Sequence, residues 1–179
     1  MDLTLLLWIQ SHLRTEVLDT FFKFFTHLGD LGIFWILLTI ILIARPKTRY
    51  TGIVMATSLL VSVIFTEALI KPLIDRPRPF ELYPMDLLIP APVSSSFPSG
   101  HSSSSFAAAT AFFLNEKKGP WRWILMIMAV MIAFSRLYLF VHNPTDVLAG
   151  TLLGLLIGYG TSRCLKQTNN LYRQWGEHV

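Results

Sequence analysis

Charge is scarce in this chain. Only 15% of its 179 residues are Asp, Glu, Lys or Arg, against about a quarter in a typical soluble domain. Cysteine is nearly absent, and the lone Cys164 excludes a disulfide framework and a cysteine metal cluster. Because Cys164 closes an apolar run, it is expected to be inert packing. The sequence also lacks a carboxylate cluster and any His/Cys/Asp group at metal-ligand spacing, so no cofactor is predicted. The N-terminal stretch "MDLTLLLWIQSHLR" has no basic residue ahead of its apolar part and therefore lacks the cationic start of a secretory signal.

Hydrophobicity fills the space that charge leaves. The hydrophobic fraction is 53% and the mean hydropathy is +0.51, which points to residence in a bilayer. A net charge of +4 could suit nucleic acid, but the cations are placed for another purpose. Spanning a bilayer takes about 17–25 helical residues. Four segments qualify, at about 24–44, 51–70, 121–140 and 145–164. A fifth, about 99–114, begins polar and continues as "FAAATAFFL"; its serines must face protein or water. Residues 3–22 read as an amphipathic helix lying along the interface, with a sixth full span as the competing reading. The predicted fold is all-α: one membrane domain, 1–179, of five to six transmembrane helices with an N-terminal interfacial helix.

Basic residues orient the bundle. "RPKTRY", "NEKKGPWRW" and "SRCLKQTNNLYRQ" each hold three, together nine of the fifteen Lys and Arg. With five spans all three segments fall on one side, the cytoplasmic side by the positive-inside rule. Lys71, Arg76, Arg78 and Arg136 are then on or near the opposite face, where orientation does not call for them. Cations in that position mark function.

Three blocks share the outer face. "KPLIDRPRP", Lys71 to Pro79, carries three prolines that are expected to keep it extended, so that Lys71, Arg76 and Arg78 project from a stiff connector. Snorkelling at the boundary is the plainer alternative. "SSSFPSGHSSSS" reads as a turn at Pro98 and Gly100 opening a helix, whose N-terminal amides form an anion site. An ordinary serine cap is the competing account. In "SRLYLFVHNPTD", Arg136 sits in an apolar run, and "NPTD" looks like a helix start. Asp146, four residues after His142, either caps that helix or holds one ring nitrogen and frees the other to attack. Together the blocks place three cations, a helix N-terminus and two histidines on one face, which suits metal-independent phosphoryl transfer.

These residues carry a family resemblance. Lys71, Arg78 and Pro79 fit a Lys-six residues-Arg-Pro motif, and Pro98–His101 fit Pro-Ser-Gly-His. Ser135, Arg136, His142 and Asp146 fit Ser-Arg-five residues-His-three residues-Asp. The chain resembles the type 2 phosphatidic acid phosphatase superfamily of membrane lipid phosphatases, through motifs spanning residues 71–146. The resemblance implies that His142 attacks phosphorus to give a phosphohistidine, oriented by Asp146. It implies that His101 protonates the leaving oxygen and then activates water. Lys71, Arg78 and Arg136 would hold the phosphoryl oxygens, helped by Ser99 and the Gly100 amide. The expected partners are the bilayer and a lipid phosphate or diphosphate. Undecaprenyl diphosphate is favoured because the site is expected to face outward; phosphatidylglycerol phosphate, phosphatidic acid and a lipid A phosphate compete. A non-catalytic lipid-phosphate binder or transporter is the alternative in a different class.

Overall fold

The computed structural model describes residues 2–116 and 119–176, with side chains as far as Thr168. Lys117, Lys118 and the Arg173 side chain, three of the cations used to orient the bundle, lie outside the described residues. Every regular element among the described residues is helical: α1 (Asp2–His12), α2 (Glu16–Gly29), α3 (Ile33–Ala44), α4 (Arg49–Val63), α5 (Lys71–Ile74), α6 (Pro79–Leu82), α7 (Gly100–Asn115), α8 (Trp121–Tyr138) and α9 (Pro144–Gly176). Four stretches are long and apolar enough to cross a membrane: Glu16–Ala44, Arg49–Leu82, Trp121–Tyr138 and Pro144–Thr168.

The N-terminal region departs from expectation. Residues 3–22 are not one helix, because the chain breaks after His12 and restarts at Glu16 under the Thr15 cap. Its second half belongs to the long apolar pair α2–α3. Arg14 and Asp19 pair with each other at 3.3 Å, and Asp19 also accepts from the Tyr138 hydroxyl at 2.6 Å. Between α2 and α3, Leu31 and Gly32 adopt left-handed conformations (φ 52° and 69°). The turn they make bends the path at Asp30.

The "KPLIDRPRP" block is also more helical than its prolines suggest. A π-helical stretch, Ile64–Ile70, joins α4 to α5, and the Lys71 amide donates to the Thr66 carbonyl five residues back. That displaced ladder accommodates Pro72, whose missing N–H would cost more in a regular helix. Lys71 is therefore a helical residue. The connector begins only at Asp75, which is left-handed (φ 41°).

α7 is the central helix, packed against α4, α8 and α9. Its polar start is glue, as expected of serines facing protein. Ser103 Oγ shares a hydrogen bond with Ser62 Oγ (2.7 Å) and accepts one from Thr66 Oγ1 (3.0 Å); Ser105 Oγ accepts from Trp35 Nε1 (2.9 Å). α9 approaches through Gly150, Gly154 and Gly158, where an added Cβ would fall 2.4–2.6 Å from the carbonyl oxygens of Ser103, Ser99 or Ala107. Small residues allow this backbone contact, as at membrane helix interfaces generally. Cys164 is exposed rather than packed, although it closes the apolar run. The start of α5 at Lys71, the C-terminal end of α8 and the N-terminal ends of α7 and α9 meet at one end of the bundle, and the site lies there.

Candidate active site

Each element end delivers one group. Arg78 is buried beneath the connector: its Nε donates to the Ser94 carbonyl at 2.7 Å and its Nη1 to the Val141 carbonyl at 2.8 Å. Lys71 is buried as well and donates to both oxygens of Glu67 (2.8 and 2.9 Å) and to Ser94 Oγ (3.0 Å). Arg136, at the end of α8, donates from Nη1 to Thr26 Oγ1 of α2, while its buried Nε has no hydrogen-bond partner among the described residues. Ser99 caps α7 and accepts from the Ser102 amide and hydroxyl (3.4 and 3.0 Å).

His142 stands in the short connector before α9. Its Nε2 lies 3.2 Å from Arg78 Nη1. A guanidinium can only donate, so Nε2 holds a lone pair and the neutral ring carries its proton on Nδ1. Burial pushes the His142 pKa below the ordinary histidine range, reinforced by the Arg78 and Arg136 charges. Nδ1 faces Asp146 Oδ2 at 3.7 Å, beyond hydrogen-bond reach, and has no hydrogen-bond partner among the described residues. The Asp146 carboxylate is occupied elsewhere. Oδ1 accepts from Arg76 Nη1 at 2.6 Å; Oδ2 accepts from Ser96 Oγ at 2.5 Å and the Asn143 amide at 2.8 Å. Asp146 thus both caps α9, through Asn143, and stands behind the histidine.

One cavity of about 600 Å³ brings together Lys71, Arg78, Gly100, His101, Arg136 and His142. Ser99 and Asp146 are not part of its lining. Ser99 lies behind it at the α7 cap, and Asp146 stands behind the His142 ring. The far wall is apolar: Leu31, Ile36, Leu59, Leu60 and Val63. Leu31, Ile36, Leu60 and Val63 are also exposed on the outside of the bundle, so the cavity has a charged end and a greasy flank.

Several groups here had no role assigned to them by the sequence reading, although it singled out Arg76 as a cation on the outer face. Arg76 ties Asp146 to Asp2 of α1 (3.1 Å), and Ser94 and Ser96 supply oxygens from an irregular connector. Asp30 receives the His101 ring, and Glu67 takes up Lys71. For the last two a signal existed: each is an acid inside a predicted apolar span, where an ionisable group is costly without a purpose. The serines carried no comparable signal, because their contacts depend on loop geometry.

Comparison with known proteins agrees with this arrangement. The sequence profile of the PAP2 superfamily matches residues 51–170. An undecaprenyl-diphosphatase of Sulfolobus acidocaldarius is 38% identical over 127 residues, covering 70% of this chain and 60% of that one. The undecaprenyl-diphosphatase BcrC of Bacillus subtilis is 32% identical over 154 residues, covering 83% of this chain and 75% of that protein. Among solved structures, Aquifex aeolicus LpxE superposes with a TM-score of 0.77 at 28% identity, covering 90% of this chain and 94% of that one. With its motif-bearing helices gathered around one cavity and its profile match running over two thirds of its length, this multi-pass membrane protein belongs to the PAP2 superfamily.

Proposed function

We propose that the chain is a lipid phosphatase that removes a terminal phosphate from a lipid phosphate or diphosphate, undecaprenyl diphosphate being favoured. The observation that carries this reading is the shared cavity: three buried cations and two imidazoles at one end, an apolar flank at the other. The charged end fits a phosphate and the flank fits the first segment of a lipid chain. The undecaprenyl-diphosphatases among its relatives support that substrate class.

In this mechanism the incoming phosphate takes the donors of Lys71, Arg78 and Arg136. Arg78 Nη1 then leaves the His142 lone pair for a phosphoryl oxygen, and Nε2 attacks phosphorus. The P–N bond forms as the bond to the leaving oxygen breaks, and His101 gives that oxygen a proton. Water then attacks phosphorus, His101 takes its proton, the P–N bond breaks, and orthophosphate leaves. Nδ1 of His142 closes on Asp146 as the ring becomes cationic. The three cations neutralise the equatorial oxygens, and on that basis we read the reaction as metal-independent.

The membrane arrangement belongs to the same proposal. We read α7 as a fifth span, too short to meet lipid all round but sheltered by α4, α8 and α9. α1 lies at the interface over the site, which faces the extracytoplasmic side, and the chain forms a single phosphatase domain. The test is orthophosphate release from a panel of lipid mono- and diphosphates in detergent, with His142→Ala alongside. Activity confined to the wild type, with an acid-labile phosphoenzyme, is the expected result. Tight lipid binding without turnover would instead identify a binder or transporter.

A further inference from the structure

His101 donates from Nε2 to Asp30 Oδ1 at 2.9 Å across 71 residues of sequence. The α2–α3 break creates this contact. Gly29 lies so close to the ring that a Cβ there would fall 2.5 Å from its Cδ2, and the left-handed Leu31 and Gly32 turn the chain immediately beyond Asp30. The other carboxylate oxygen, Oδ2, accepts from His27 Nδ1 at 2.8 Å, so Asp30 is held from both sides. Arg136 is the neighbouring cation in the same cavity, and the Thr26 backbone offers the ring a second, neutral acceptor.

We propose that Asp30 is the positioning residue for His101, fixing the ring by its Nε2–H so that proton exchange with the leaving group and with water runs through Nδ1. This rests on the phosphatase reading above. A carboxylate bond to an imidazole is charge-assisted once the ring is cationic and outlasts a bond to a neutral carbonyl. The leaving oxygen therefore displaces a neutral acceptor while Asp30 stays in place. Asp30 remains a carboxylate throughout. The proton that His101 gives to the leaving oxygen is recovered from the attacking water, so the cycle closes without a proton from solvent. His27 then serves as an anchor for Asp30 and is not required as a relay.

The experiment compares kcat/KM for a long-chain alkyl monophosphate with that for 4-nitrophenyl phosphate, in wild type, Asp30→Asn, His101→Ala and the double variant. An alkoxide needs protonation to leave, whereas nitrophenolate leaves without it. Asp30→Asn should lower kcat/KM for the alkyl substrate by about 100-fold, the scale of a general acid's contribution, and for the nitrophenyl ester by less than about five-fold. In the variant a burst of nitrophenolate should precede slow turnover, because water activation is impaired as well. Adding Asp30→Asn to His101→Ala should cost nothing further. Gly29→Ala, whose Cβ would press on the His101 ring and on Ile132 Cγ2 (2.5 and 2.7 Å) and not on the carboxylate, should show the same substrate split and gives a second test if Asp30→Asn folds poorly. Equal losses on both substrates, or losses that multiply with those of His101→Ala, would make Asp30 merely structural and overturn the proposal. A wild type inert toward both substrates would overturn the phosphatase reading and this inference with it, a result distinct from an active wild type indifferent to Asp30.

Discussion

Arg76 donates to Asp146 Oδ1 at 2.6 Å, while Oδ2 of the same carboxylate stops 3.7 Å short of His142 Nδ1. The carboxylate behind the candidate nucleophile is thus held by an arginine that does not line the cavity. Arg76 also reaches Asp2, which accepts from Thr145 Oγ1 at 2.5 Å, so α1 is tied into the same network. Arg76→Ala should lower kcat by about ten-fold, as expected for loss of a group that orients a catalytic ligand. The Ki for vanadate, a phosphate mimic, should stay at its wild-type value. A large rise in Ki with unchanged kcat would instead make Arg76 a substrate contact.

The buried His142 ring sets a pH dependence. Its pKa is held below the ordinary value of about 6.5, so the ring loses its proton at lower pH than a free histidine. In the proposed mechanism the neutral form attacks and the cation does not. Activity is therefore retained as pH falls through 6.5 and is lost only further into the acid range. A kcat/KM profile from pH 4 to 9 at constant ionic strength checks this. An acid limb centred at or above 6.5 would contradict it.

Glu67 occupies ground that the phosphate would need in the proposed mechanism. It meets Lys71 through both oxygens, and its Oε1 lies 2.6 Å from where a Cβ on Gly100 would be. Its carboxylate thus hangs over the first turn of α7, in the place of an anion. The side chain is 43% exposed and can swing clear. Glu67→Gln removes the competing charge and should tighten vanadate inhibition by about two- to five-fold, the scale of a half-exposed ion pair. Weaker inhibition would mean that Glu67 chiefly holds Lys71 in position.

Helix positions were largely legible in the sequence, because long apolar runs leave little choice. The spans expected at 51–70 and 121–140 fall on helical stretches at 49–74 and Trp121–Tyr138, and the segment expected at 99–114 coincides with the helix Gly100–Asn115. Breaks within helices were harder to read. Pro72 suggested an extended connector, yet the π-helical turn before it keeps Lys71 helical. The bend at Asp30 rests on left-handed backbone that "GDLG" only hints at. The groups brought to the cavity, Lys71, Arg78, His101, Arg136 and His142, were legible as chemistry out of place in a greasy chain. Their supports were not. Ser94, Ser96 and Thr26 are ordinary residues that matter through tertiary contact alone.

The glycine stripe of α9 makes the last prediction, and it concerns stability. A Cβ at Gly154 would lie 2.4 Å from the Ser103 carbonyl oxygen and 2.9 Å from the Ala107 amide nitrogen. Both are backbone atoms of the central helix, so neither can rotate away. Ser103 also ties α7 to α4 through Ser62 and to the π-helical stretch through Thr66, and a displaced α7 would disturb those bonds. Gly154→Ala should destabilise the bundle by about 1–3 kcal/mol, the range for an overpacked core, read as a lower melting temperature in detergent. Gly160 faces open space, so Gly160→Ala should not lower the melting temperature, since alanine is the better helix former. If the two variants melted alike, close packing of α9 on α7 would not be what holds the two helix N-termini together at the site.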